Sequence, residues 1–345
     1  MTQEELRLFN QKKKIFAQEI KTRNDNLKNC INYLNKLDLS ILKNLKDKID
    51  DRGIKVIYVV GMGSSYYAGE YIYTKCQASG ILLIPIEAAM FLKTYVKQVD
   101  QESLVIIISN SGNSEEIVEV ADKLKDLELD ENVLSITNNT NGYLFKMFPN
   151  KVLIQASPEY YIAHSSYLNT ILVLDFVINY LLDIDQDSIC KNINFDLLTF
   201  LDQKLQLSKG DILNIFADKK FVDFIYASGS KFNSDNAALL LREGSGLMTN
   251  TFSENEYTHG EHLVEVKNKI LCFLGTDYNG EKYNFISNEI MLNDNLIISS
   301  GKDLDIFKQG NTIRIVIPES IRHLGEMIVF NTIVAWRMEE CNSDN

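Results

Sequence analysis

VIYVVGMGSSYYAGE, residues 56–70, passes from a β-branched apolar run through Gly61 and Gly63 and a pair of serines into residues that suit a helix. A strand, a glycine turn and a helix make a βα unit, and successive units of this kind build a parallel sheet. SLVIIISNSGNSEE at 103–116 repeats the pattern, and NVLSI at 132–136 and KVLIQ at 151–155 supply two more strand candidates. The second half carries FIYAS at 224–228, ILCFL at 270–274, NLIIS at 295–299 and IRIVI at 313–317 in the same order. Matching Ile57-Tyr58 to Ile225-Tyr226 and Leu104 to Ile270 reads as an internal duplication. Its period is far longer than that of a solenoid repeat. The expected fold is therefore α/β: two tandem doubly wound parallel-sheet domains, flavodoxin-like and three-layered αβα, over 46–195 and 205–345. Before them, Leu6, Phe9, Ile15, Phe16, Ile20, Leu27, Ile31 and Leu34 recur at near-helical spacing among charges, so 1–45 is expected to be a helical arm lying on a partner surface.

Composition narrows the function. The 345 residues are 45% hydrophobic and 24% charged with 4 prolines, which excludes a disordered or collagenous chain. Thirty-five Lys and Arg face 47 acids, a net charge of −12 that repels a nucleic-acid backbone, so no nucleic-acid partner is expected. No apolar run approaches the roughly 20 residues of a spanning helix, and no signal peptide is visible, so no membrane partner is expected. Five cysteines, odd in number and never spaced as CxxC, fit reduced thiols and a cytoplasmic location.

In an open parallel sheet, ligands bind beyond the carboxyl ends of the strands. After the first strand, Gly61 and Gly63 permit a sharp turn, and Ser64 and Ser65 place hydroxyls and N–H groups at a helix start. The next loop crowds Ser109, Asn110, Ser111 and Ser114 around Gly112. Taken alone, either could be a glycine turn with an ordinary serine cap. Two such loops on neighbouring strands suit one phosphate, held by neutral donors since neither loop contains Lys or Arg. Neither GxGxxG nor a Walker lysine is present.

GMGSSYYAG, SNSGNSEE, PEYYIAHSS, and REGSGLM with SENEYTHGEH, in this order, resemble the sugar isomerase (SIS) domains of the isomerase half of glucosamine-6-phosphate synthase. They are also similar to stand-alone phosphosugar deaminases and fructosamine-6-phosphate deglycases. The resemblance runs over about residues 50–340. It implies two SIS domains, a sugar phosphate as the small-molecule partner, no cofactor, no metal, and a homodimer with a shared active site. Ser65, Ser109, Asn110, Ser111 and Ser114 match phosphate-binding positions. Glu159, Ile162 and Ala163 match a stretch lining the sugar, where Ser165 and Ser166 replace the usual Thr and Lys.

The resemblance also implies that Glu243 transfers the proton between C1 and C2 and that His259, from the neighbouring subunit, opens the sugar ring. An acid within AALLLREGSGL costs free energy to desolvate unless its pKa rises, which suits such a shuttle. Read without the resemblance, Glu243 could be a solvated helix residue beside Arg242, and His259 a loop residue. A metal set of Glu256, His259 and His262 lacks zincin spacing, and no GxSxG elbow marks a hydrolase. Leu240 and Asn236 stand where the isomerases carry a lysine and a glutamate, and too few residues precede Lys55 for a glutaminase domain. The expected enzyme is thus an isomerase, deaminase or deglycase acting on an amino-sugar or fructosamine 6-phosphate. The alternative is a non-catalytic phosphosugar sensor.

Overall fold

The computed structural model describes residues 11, 14–78, 80–184, 188–227, 229–264, 268–275, 280–300 and 310–340; Leu6, Phe9 and Cys341 lie outside them. The chain divides into two compact units. The first holds residues 23–158 and 163–192; the second holds 193–345 with 159–162 and the residues up to Thr22.

In the first unit, α1 (Arg23–Leu34) and α2 (Ser40–Arg52) precede β1 (Val56–Gly61), α3 (Ser64–Gly69) and β2 (Leu82–Glu87). There follow β3 (Ser103–Ser109), α4 (Glu115–Asp126), β4 (Val133–Thr137), α5 (Tyr143–Met147), β5 (Asn150–Leu153) and α6 (Ser165–Leu181). The five strands are parallel in the order β2-β1-β3-β4-β5. Every residue of β3 is buried, as helices on both faces of a parallel sheet require. Tyr58, Val60, Val105 and Ile107 pack with Ile117, Val120, Ala121 and Leu124 of α4. On the opposite face Gly69 of α3 comes against Val59. Each buried Val, Ile or Leu contributes on the order of 2 kcal/mol.

The second unit repeats the scheme. Helices α7 (Phe195–Leu207) and α8 (Lys209–Phe216) lead into β6 (Phe221–Tyr226), α9 (Lys231–Ser245), β7 (Met248–Ser253) and α10 (Glu254–His259). Strands β8 (Lys269–Gly275), β9 (Asp294–Ser299) and β10 (Asn311–Val316) and helix α11 (Arg322–Glu340) complete it. Its parallel order is β10-β9-β8-β6-β7. Among the described residues, no helix is long and apolar enough to cross a membrane.

Three features differ from the sequence reading. Strands β2 and β7 were not expected; each is an edge strand, and Pro85 in one and the polar run Met248–Ser253 in the other hide the β pattern. The segment of the expected arm from Arg23 onward is part of the first unit, because α1 and α2 pack on α6. Finally, the ladders pair Val56 with Leu82 and Ser103, and Phe221 with Met248 and Lys269. Val56 therefore corresponds to Phe221, and the Ile57-Tyr58 match to Ile225-Tyr226 is out of step by three residues.

Candidate functional site

Parallel pairing of β1, β3 and β4 brings three strand-to-helix loops to one edge of the first sheet. In the first of them, a Cβ at Gly61 would lie 2.7 Å from the backbone of Ser65 and Tyr66, so only glycine lets α3 start so close to β1. Ser64 and Ser65 open α3, and the Ser65 N–H donates to the Met62 carbonyl at 3.0 Å. The Ser64 and Ser65 hydroxyls make no hydrogen bond with the described residues. They are half-buried donors at a helix start.

The second loop is folded by its own side chains. Ser109 Oγ accepts from Gly112 N at 3.1 Å, and Ser111 Oγ accepts from Asn113 N at 3.2 Å, so both hydroxyls keep a hydrogen to donate. Gly112 takes φ +65°, where a Cβ would also meet Thr137 Oγ1 at 3.0 Å. Ser114 is the N-cap of α4 by backbone, while its hydroxyl makes no cap bond. Asn110 Oδ1 is buried without a partner among the described residues.

A third loop, 137–142, was not singled out from the sequence. Thr137 Oγ1 and Asn138 N donate to the Asn110 carbonyl at 3.4 and 3.2 Å, and Asn139 Nδ2 donates to the Ser111 carbonyl at 3.0 Å. The TNNTNG run that follows β4 was the available signal. Asn138 also exchanges two bonds with Ala156, donating from Nδ2 to its carbonyl at 2.8 Å and accepting its N–H at 3.0 Å. This loop therefore fixes both the serine loop and the backbone leading to Glu159. A cavity of about 820 Å³ in the same unit is lined by Asn35, Lys46, Tyr180, Ser188 and Cys190 among others, and holds none of the loop serines.

Of the sugar-lining stretch, Ala163 belongs to the first unit, whereas Glu159 and Ile162 belong to the second. There Tyr161 Oη donates to the Glu243 carbonyl at 3.4 Å, and Ile162 Cδ1 would lie 3.3 Å from a Cβ at Gly244. Glu243 sits on the outer side of α9, whose inner face is Phe232, Ala237, Leu240, Leu241 and Gly244. The acid is thus not set in the apolar core as its sequence neighbours suggested. Partial desolvation nevertheless raises its carboxyl pKa, with the Arg242 charge opposing. Arg242 is turned to β7, donating from Nη1 to Thr249 Oγ1 at 2.9 Å.

His259 ends α10 and is exposed. The helix beneath it is well anchored. Ser253 and Glu256 form a capping box, with Ser253 N donating to Glu256 Oε2 at 2.7 Å, which holds the Glu256 carboxyl below its usual range. Tyr257 is fully buried and accepts from Lys269 Nζ at 3.2 Å. His262 Nδ1 lies 3.2 Å from the Tyr257 carbonyl, and its ring meets Phe285 edge-on. Glu256 and His262 are therefore spent on local structure.

Residues 52–180 match the family model of the SIS domain. Over this segment the chain is similar to the SIS domain. Within this chain, 117 residues are 29% identical to the glutamine-fructose-6-phosphate aminotransferase (isomerizing) of Sulfolobus acidocaldarius, covering 34% of this chain but 19% of that enzyme. The C-terminal domain of glucosamine-fructose-6-phosphate aminotransferase from Francisella tularensis has the same fold with a TM-score of 0.75 at 15% identity, over 95% of this chain and 96% of the other. Glucosamine-6-phosphate deaminase from Thermotoga maritima matches with a TM-score of 0.63 at 18% identity, over 88% and 93%. At such identities the likeness is one of fold. It spans both sheets, so the fold shared with these proteins includes the second unit as well as the segment that resembles the SIS domain.

Proposed function

We propose that this chain is a phosphosugar enzyme acting on an amino-sugar or fructosamine 6-phosphate. The three braced loops at the carboxyl edge of the first sheet carry the reading, because they gather hydroxyls that still have a proton to give. Ser64, Ser65, Ser109, Asn110, Ser111 and Ser114 would hold the phosphate, and Glu159, Ile162 and Ala163 would line the sugar. Glu243, with its raised pKa, would carry a proton between C1 and C2 without a metal or cofactor. His259, exposed on an anchored helix, would open the sugar ring in the neighbouring subunit of a homodimer. A cytoplasmic location accords with the buried free thiols Cys30 and Cys272.

Each hydroxyl donated to a phosphate contributes about 2 kcal/mol, and the Ser65 hydroxyl makes no hydrogen bond among the described residues. Ser65→Ala is expected to weaken binding of glucosamine 6-phosphate by roughly 30-fold with no change in Tm. Isothermal titration on both proteins checks this, and equal affinities would remove the first loop from the site. A panel of sugar phosphates assayed for ammonia, amine and ketose then separates deaminase, deglycase and isomerase.

One observation favours a second reading. Asn236 and Leu240, in the places of the isomerase glutamate and lysine, are fully buried in the packing of α9. A protein that recognises phosphosugars without converting them is the alternative. It gains support if the pure protein binds the panel and releases none of the three products.

A further inference from the structure

The second unit repeats the strand, turn and helix that form the first cradle, yet its turn is already filled. Counting along the paired ladders, Ser230 stands four residues beyond the end of β6, as Ser65 stands beyond the end of β1. Ser230 is the residue before α9, a helix of 15 residues, and is fully buried. Its hydroxyl donates to Glu326 Oε1 at 2.7 Å. Asn233, in the first turn of α9, donates from Nδ2 to Glu326 Oε2 at 2.6 Å, so both carboxylate oxygens are bound. Arg322 Nη1 donates to Ser230 Oγ at 2.9 Å and lies 3.7 Å from Glu326 Oε1. Glu326 is 0% exposed and Arg322 8%. The Arg322 guanidinium also comes within 3.4 Å of a Cβ placed at Gly229, which has φ +83°.

We infer that Glu326 is a tethered anion occupying the cradle of the second unit, so that this cradle accepts no external phosphate while the carboxylate remains. A carboxylate with a hydroxyl on one oxygen, an amide on the other, a guanidinium alongside and a helix N-terminus behind it has the partners a bound anion would have. Burial raises the Glu326 carboxyl pKa, Arg322, Asn233 and Ser230 oppose that rise, and the Glu319 charge adds to it. Removing the carboxylate leaves a buried guanidinium without its full counter-charge, beside a cavity lined by Ser230 and Asn233. That is the donor set of an oxyanion site. The inference stands on the second unit alone and holds whether or not the first cradle binds a sugar phosphate.

The test follows Tm of the full chain against inorganic phosphate or acetate, with chloride at matched ionic strength as the control. Glu326→Ala is expected to melt lower than the parent in chloride. Phosphate or acetate should then raise its Tm saturably by about 5 °C more than it raises the parent. Adding Arg322→Met should remove that extra rise. A response of Glu326→Ala no larger than that of the parent would overturn the inference. Should Glu326→Ala fail to fold, equilibrium dialysis of phosphate against Ser65→Ala/Ser111→Ala, which keeps Glu326, decides the matter. No saturable binding is expected there. Residual binding that Ser230→Ala abolishes would show an open second cradle and overturn the inference equally.

Discussion

Glu243→Gln is expected to lower kcat for the responsive sugar phosphate by about 10²–10⁴-fold while leaving its Kd within a factor of about three. The amide keeps the shape of the side chain and its place on the outer side of α9 but cannot accept a proton. At the middle of that range the loss corresponds to about 4 kcal/mol of transition-state stabilisation. The pH profile makes the test sharper. A base works when ionised, and partial burial raises the Glu243 pKa, so activity should fall on the acid side at a pH above the usual carboxylate range. Any residual activity of Glu243→Gln should lack that acid limb. Stopped assays of parent and variant across pH measure both quantities, and a variant with unchanged kcat would take the proton transfer away from this residue.

The largest effect on stability is expected at Asp175 in α6. This carboxylate is 0% exposed and lies 3.1 Å from Lys75 Nζ, itself 5% exposed. Tyr71 Oη, Asn179 Nδ2, Ser188 Oγ and Cys190 N also donate to it, at 2.8, 3.1, 3.0 and 3.2 Å. Asp175→Ala would leave an ammonium and four donors facing a small apolar cavity, and is expected to cost about 3–5 kcal/mol. Urea unfolding of the two proteins measures it. Removing both charges should be milder than removing one: Lys75→Met/Asp175→Leu is expected to regain about 1–3 kcal/mol over Asp175→Ala. A single-mutant loss below about 1 kcal/mol would mean that water reaches the pair.

All eight strands expected from sequence are present, and those at the sheet centres, such as SLVIII and ILCFL, are legible because burial on both faces demands a continuous apolar run. The two that escaped, β2 and β7, close the same edge of their respective sheets. An edge strand needs neither a full apolar run nor a free N–H at each residue, so Pro85 and the Thr-Asn-Thr stretch 249–251 are tolerated there. The duplication was legible, yet its register was not: Ile-Tyr occurs in both first strands at positions that do not correspond, and hydrogen-bond ladders were needed to align them. The serine loops could be found because glycines and hydroxyls cluster in the chain. The loop at 137–142 braces them mainly through backbone carbonyls, which any sequence possesses. The role of Glu326 was likewise invisible, since it joins Ser230 from 96 residues away.

Helix α6 bears on how this protein can be divided. Of its residues, Leu168, Ile171, Leu172, Val173, Leu174, Val177 and Ile178 are all fully buried, which wraps apolar surface around the whole cylinder. Part of that surface is roofed by α1 and α2. Within α1, Asn26 also ties the strand-to-helix crossing, accepting from Ser157 N and Oγ at 2.8 Å. The segment matched to the family starts at residue 52, the last residue of α2, and so leaves out both roofing helices. A fragment trimmed to that boundary would present a greasy stripe to water, so the natural unit for expression or labelling begins upstream of Arg23.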